Sequence, residues 1–216
     1  MSAKFSVFAC LVMIVLSVAI GAYAYPLLPT LVVSHWNAHG VPDGHLSRFM
    51  GTFIVPMISL VIFLIIFLAP RLVPLKRNIE YVRKYYNGLA VVLMLFFLYL
   101  QAIIVLLNLG YKFNIVQFLA PAIGSLFFYL GILIRHTRRN WIAGIRTPWT
   151  LSSDEVWEKT HARSGRLFQG AGVLALFGFA FPHLAFILIF IPIVFVSLYA
   201  IVYSYFVFKK VNSIKK

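Results

Sequence analysis

"LFQGAGVLALFGFAFPHLAFILIFIPIVFVSLYAIVYSYFVF", residues 167–208, runs for 42 residues without one Asp, Glu, Lys or Arg. A helix crossing the hydrocarbon layer needs about 20 apolar residues, so this run is too long for one crossing and long enough for two. Only "FPHL" around Pro182 and His183 interrupts it. Proline removes a backbone donor and ends or kinks a helix, so a tight re-entry there divides the run into spans at 167–183 and 185–208. Working outward, four more apolar runs cover residues 5–27, 50–69, 87–109 and 113–134. The expected fold class is an all-α integral membrane protein, a bundle of about six transmembrane helices.

Composition supports that class. The 216 residues are 62% hydrophobic and 11% charged, with a mean hydropathy of +0.94. A soluble domain carries about 25% charged residues. In the first run, Lys4 ahead of an apolar stretch and "AYA" at 22–24 also fit a secretory signal. Its apolar stretch exceeds a usual signal core and continues through Leu28, which favours a retained helix.

Charge placement sets an expected orientation. With the N-terminus in the cytoplasm, 17 of the 19 basic residues fall on the cytoplasmic side, leaving only Arg48 and Lys112 outside. That is the asymmetry of the positive-inside rule, and it places both termini in the cytoplasm of a plasma-membrane protein. The net charge of +14 therefore reads as topology plus attraction to anionic headgroups. Direct nucleic-acid binding does not follow, because the basic residues are dispersed and no recognition motif accompanies them. The chain divides into an N-terminal membrane unit, residues 1–70, with an outer loop at about 28–49, and a four-helix unit, residues 71–216, with an inner loop at about 135–167.

The inner loop holds "NWIAGIRTPWTLSSDEVWEKTH", residues 140–161, with three of the five acidic residues and three of the four tryptophans. Gly144 permits a sharp turn and Pro148 biases Thr147 toward extended backbone. Ser152 can cap a helix, with Glu155 three residues on reaching back to its amide, so a helix starts near Ser153. Glu155 and Lys159 have the spacing of a helical ion pair, while Trp157, His161, Ser164 and Phe168 share another face. This helix is expected to lie on the membrane or dock against the bundle before becoming the fifth span.

The outer loop, "PTLVVSHWNAHGVPDGHLSR" at 29–48, carries His35, His39 and His45. The pair at 35 and 39 has the spacing of a zinc peptidase helix, but Trp36 stands where the glutamate is required. A metal site from the three histidines with Asn37 or Asp43 stays open chemically. Gly40, Pro42, Asp43 and Gly44 are turn residues, so a structured loop with Trp36 at the interface is the stronger reading and no cofactor is expected. No charged residue lies well inside a span, and the polar groups there are few: Gln101, Asn108, Asn114, Gln117 and His183. Coupled transporters place ionisable groups at membrane depth, so a small-solute transporter or channel is the second reading. Ala120 with Gly124, and Gly131, Gly170 and Gly172, suit close helix packing. The single cysteine, Cys10, allows no intramolecular disulfide, and neither a P-loop, a dinucleotide fingerprint nor a catalytic carboxylate pair is present.

Together, "HWNAHGVPDG" after a first span and "NWIAGIRTPWTLSSDEVWEKTHARSGR" before the last two resemble the SdpI family of bacterial and archaeal membrane proteins, including its small N-terminal domain of unknown function. The residues matching the first block are His35, Asn37, Gly40 and Asp43. Those matching the second are Asn140, Gly144, Arg146, Thr147, Pro148, Thr150, Leu151, Glu155, Trp157, Thr160 and His161. The resemblance implies a binding protein without catalysis. It would confer immunity to a secreted membrane-active toxin or bacteriocin, and signal by holding an ArsR-type repressor at the membrane. In that case the outer loop, with His35, Asn37, His39, Gly40, Asp43 and His45, would meet the toxin, and the basic inner loop the repressor. A purely structural role for the signature would pair Arg146 with Glu155 or Asp154.

Overall fold

The computed structural model describes residues 1–72 and 76–214. The side chains of residues 71–80 and 214, with Lys215 and Lys216, lie outside the described set, and with them the inner-side charges read at Arg71, Lys76 and Arg77. The architecture is helical: α1 (Ala3–Ala24), α2 (Arg48–Leu72), α3 (Lys76–Asn108), α4 (Ile115–Arg135), a single turn α5 (Pro148–Ser152), α6 (Asp154–Leu176) and α7 (Ala185–Ile214). Between α1 and α2 stands a two-stranded antiparallel hairpin, β1 (Leu31–Trp36) and β2 (Pro42–Ser47).

Among the described residues, five helices are long and apolar enough to cross a membrane: Ala3–Leu27, Arg48–Pro70, Tyr81–Asn108, Ile115–Arg135 and Pro182–Ser213. The span expected at 167–183 takes a different form. Its residues continue a helix that begins at Asp154, so the apolar half of α6 is preceded by a polar half of the same rod. Even so, α6 accompanies α4 end to end in the antiparallel sense. Ideal Cβ atoms on Gly124 and Gly131 would lie 2.7 and 2.5 Å from the carbonyl oxygens of Gly172 and Gly165. Past the end of α6, the Gln117 amide donates to the Phe179 carbonyl at 2.8 Å and the rings of Phe118 and Phe179 meet edge to face. Among the described residues, five helices therefore qualify as spans where six were expected, and α6, only partly apolar, runs beside α4.

The start of α1 and the last turns of α7 lie at one end of the bundle. The Met1 carbonyl accepts from Asn87 near the start of the α3 span, and Val207 and Val211 of α7 pack on Val156 at the start of α6. Two contacts join these regions: Arg138 stacks on Tyr81 at 3.7 Å and His136 on Tyr85 at 4.1 Å.

The small residues act as expected with one exception. Gly124, Gly131 and Gly172 let the α4 and α6 backbones touch, and Ala120 meets Gly178. Gly165, which spacing did not single out, is part of the same seam, whereas Gly170 faces open space. Replacing Gly172 with Leu forces a side chain against the α4 backbone and should cost about 1–3 kcal/mol, read as a lower thermal unfolding midpoint in detergent. Gly170→Leu should leave the midpoint within error; equal losses in both variants would refute the seam.

Candidate functional site: two polar constructions at opposite ends

The connection from α4 to α6 has to turn through the gap between two touching helices, and it satisfies its backbone internally. Asn140 is fully buried and works as a hub. Its side-chain oxygen accepts from the amides of Ile142 and Ala143, both at 2.8 Å, and its amide donates to the carbonyls of Arg138 and Ala143 at 2.7 and 3.0 Å. Thr147 caps α5 in a capping box in which Thr150, rather than a carboxylate, reaches back. Thr150 also donates to the Ile145 carbonyl at 2.8 Å, and the Thr147 hydroxyl meets that of Ser204 on α7 at 3.1 Å. These hydroxyls are buried, so each bond saves a polar group from an unpaired state that costs about 1–3 kcal/mol.

Trp157 and His161 form the floor. Trp157 is fully buried and its indole N–H donates to the Thr137 carbonyl at 3.0 Å. The His161 ring stacks on it with centroids 3.9 Å apart. The Ile145 amide donates to His161 Nε2 at 2.9 Å, so that nitrogen carries no proton. The proton then sits on Nδ1, 2.7 Å from the Trp157 carbonyl that accepts it. Burial pushes the imidazole pKa down to about 4, the bond to the Trp157 carbonyl opposing only in part. Gly144 passes directly over this pair with φ +127°, and a Cβ there would lie 2.5 Å from His161 Nε2. Both its conformation and its lack of a side chain are required.

Several expectations are corrected here. Arg146 does not pair with Glu155 or Asp154; it is exposed and donates to the Trp141 carbonyl at 2.6 Å. Asp154 pairs with Arg139 at 2.8 Å, and Arg139 also donates to the Leu151 carbonyl, closing the loop over α5. The cap of α6 is Ser153, accepting from Val156, because Ser152 is still in α5 and donates to Trp149. Glu155 bonds Lys159 at 2.6 Å, the spacing read from sequence. Thr160 is fully buried toward the bundle, while Pro148 is exposed and Leu151 half-buried. Tyr81 and Tyr85, which brace Arg138 and His136, were not identified, since nothing local in the sequence couples them to a loop some fifty residues away.

At the opposite end stands the hairpin, a β element inside a chain expected to be all α. Its turn is built by Asn37, whose side chain accepts from the amides of His39 and Val41 at 2.9 and 3.1 Å. Gly40 has φ +78° and leaves no room for a Cβ against Asn114. The hairpin is tied down by two side chains from the α3–α4 junction. Asn108 accepts from the Val33 amide at 2.8 Å and donates to its carbonyl at 3.0 Å, acting as one residue of an adjoining strand. Asn114 caps α4 and donates to the His39 carbonyl at 3.2 Å. His35 Nδ1 and the Asp43 carboxylate lie 2.5 Å apart on the exposed face. His39 and His45 are exposed, and no group of three or more His, Cys, Asp or Glu able to hold a metal ion occurs among the described residues. Beneath the hairpin opens an apolar cleft of about 450 Å³, with His35 and Trp36 at its edge and Ile54, Ile58, Leu100 and Leu119 in its walls.

The C-terminal part of the chain, residues 136–204, matches the model of the SdpI/YfhL protein family, and residues 12–60 match a domain of unknown function, DUF1648. In both segments the chain is similar to members of the SdpI family. It is similar to the immunity protein SdpI of Bacillus subtilis (strain 168), 26% identical over 204 residues, which is 94% of this chain and 95% of that one. No solved structure matches. The segment 12–60 takes in the hairpin, and the segment 136–204 the inner loop with α6 and most of α7.

The buried imidazole gives the inner loop a pH signature. The unfolded chain takes up a proton near the ordinary value of 6.5 and the folded loop only near 4. Between these values the unfolded state binds more protons, so stability is complete above about 6.5 and falls as pH drops through the window, by up to about 3 kcal/mol. Thermal unfolding in detergent from pH 7.5 to 4 should show this loss in the native chain and a smaller one in His161→Asn. An identical pH profile for both chains would count against a buried neutral His161.

Proposed function

We propose that this chain is a multi-pass plasma-membrane immunity protein that protects its host from a secreted membrane-active toxin, acting by binding and without catalysis. The observation that carries the reading is the end-to-end match to a protein named for immunity, spanning the hairpin and the inner loop alike. In this reading the hairpin end faces outward and the basic end, with both termini, faces the cytoplasm, as the distribution of Lys and Arg requires. The toxin meets His35, Asp43, His39 and His45, while Asn37 and Gly40 hold the turn that presents them. The apolar cleft below the hairpin suits the apolar part of a peptide that partitions into the outer leaflet. Signalling by capture of an ArsR-type repressor belongs to the same proposal and falls to the exposed crest of the inner loop, Trp141 and Arg146. Of the units 1–70 and 71–216, the second then carries the repressor contact, while the toxin contact joins the hairpin of the first to the cleft walls Leu100 and Leu119 of the second.

A strain lacking the gene and the same strain complemented are challenged with spent medium containing the host's secreted membrane-active peptides. Complementation is expected to restore survival, and the His35→Ala/Asp43→Ala double variant to lose most of that protection while reaching the membrane in normal amount. Trp141→Ala/Arg146→Ala should keep protection yet abolish toxin-induced expression from a repressor-controlled reporter. Equal survival of deletion and complemented strains would remove the immunity reading and move the role toward solute transport.

A further inference from the structure

We propose that the groove between the start of α6 and the end of α7 is a binding site for an anionic phospholipid. The groove holds about 320 Å³ and is lined by Lys159 of α6 and by Tyr203, Phe206, Val207, Lys210 and Val211 of α7. Its chemistry is two-part. Val207 and Val211 are buried at its base, packed on Val156, and the 61% exposed Phe206 forms a wall that faces outward from the bundle. Lys159 and Lys210 stand over this apolar trough on exposed stems, with Lys209 next in sequence. The groove lies where the apolar stretch of α7 gives way to lysines, which is the depth of the headgroups. Long lysine side chains lay their methylenes on apolar surface and lift the ammonium to the interface. Basic pockets between membrane helices select anionic headgroups by this combination.

Charge complementarity decides the occupant. Glu155 bonds Lys159 at 2.6 Å and offsets part of its charge, while the Lys210 ammonium projects from the other wall. The wall on the membrane side is braced from α6: Arg163 Nε donates to the Tyr199 hydroxyl at 2.5 Å, and the guanidinium lies 5.4 Å from the Tyr203 ring. Tyr199 and Tyr203 stack with centroids 5.5 Å apart. The arginine is thus spent on holding the aromatic wall, which leaves Lys210, joined by Lys159 as it shares its charge between Glu155 and the ligand, to take a phosphate while the trough takes the first part of an acyl chain. The site is independent of the immunity reading, since it lies on the opposite end of the bundle from the hairpin.

The test is native mass spectrometry of the purified full-length chain in detergent, titrated with phosphatidylglycerol or phosphatidylcholine of the same acyl chains. Retention of phosphatidylglycerol is expected to exceed that of phosphatidylcholine, and the Lys159→Gln/Lys210→Gln variant to lose about tenfold in apparent affinity for it. Lys84→Gln, which removes an exposed base at the same end of the bundle, should leave retention unchanged. Glycerol phosphate in excess should fail to displace the lipid, because it brings no chain to the trough. Equal retention of the two lipids, an unchanged double variant, an equal loss in Lys84→Gln, or displacement by glycerol phosphate would each overturn the site. A rise in the thermal midpoint on adding phosphatidylglycerol, present in the native chain and absent in the double variant, gives a second readout that requires only folded protein.

Discussion

The backbone contact between α4 and α6 is the constraint on which the rest depends. Within hydrocarbon, helices gain little from hiding apolar side chains from lipid, so tight association needs close van der Waals packing, and small residues permit it. Gly124 against Gly172 and Gly131 against Gly165 bring carbonyl oxygens to where a side chain would otherwise stand. With two antiparallel rods this close, the chain between Arg135 and Asp154 has to fold over their ends rather than swing away. Thr160 and Ser164 lie buried on α6 as well, so a partly polar helix travels beside α4 with its polar atoms turned inward.

That confinement explains the chemistry of the inner loop. A connection pressed against helix ends cannot leave its amides and carbonyls to water, and it uses short polar side chains as substitutes for a sheet or helix ladder. Asn140 serves four backbone groups, Thr150 three, and His161 one amide and one carbonyl at once. The last arrangement exists only for a neutral ring, which is why burial and hydrogen bonding agree on its protonation state. Asn108 does the same at the other end, completing the edge of β1, which pairs only with β2 among the described residues.

Legibility in the sequence followed the range of the physics. The hydrophobic spans, the helix beginning near residue 153, the shared face of Trp157 and His161, and the turn chemistry of Gly40 and Gly144 are local and could be read. The β-hairpin escaped because "LVVSHW" is short and apolar like the spans beside it, and its pairing with "PDGHLS" depends on Asn108, more than seventy residues away. The partners of Arg138 and His136 on α3 are equally remote. Charge alone does not assign the partner of Arg146; geometry gives Asp154 to Arg139, which reaches it across the α5 turn. The division between Ser152 and Ser153 as cap was lost because a one-turn helix intervenes.

The residues that make the inner loop recognisable are largely the ones it consumes internally. Asn140, Thr147, Thr150, Trp157, Thr160 and His161 are buried, so an external partner cannot read them directly, and substitutions there act first on the fold of the loop. What the loop offers outward is Trp141, Arg146, Pro148 and the acidic start of α6. At the hairpin the order is similar: Asn37 and Gly40 shape the turn, while His35, His39, Asp43 and His45 are presented. A signature can therefore identify the scaffold while partner choice rests on the side chains that the scaffold leaves facing out. Two chains that share this buried set could still bind different partners, since exchanging an exposed arginine or histidine removes no internal hydrogen-bond hub.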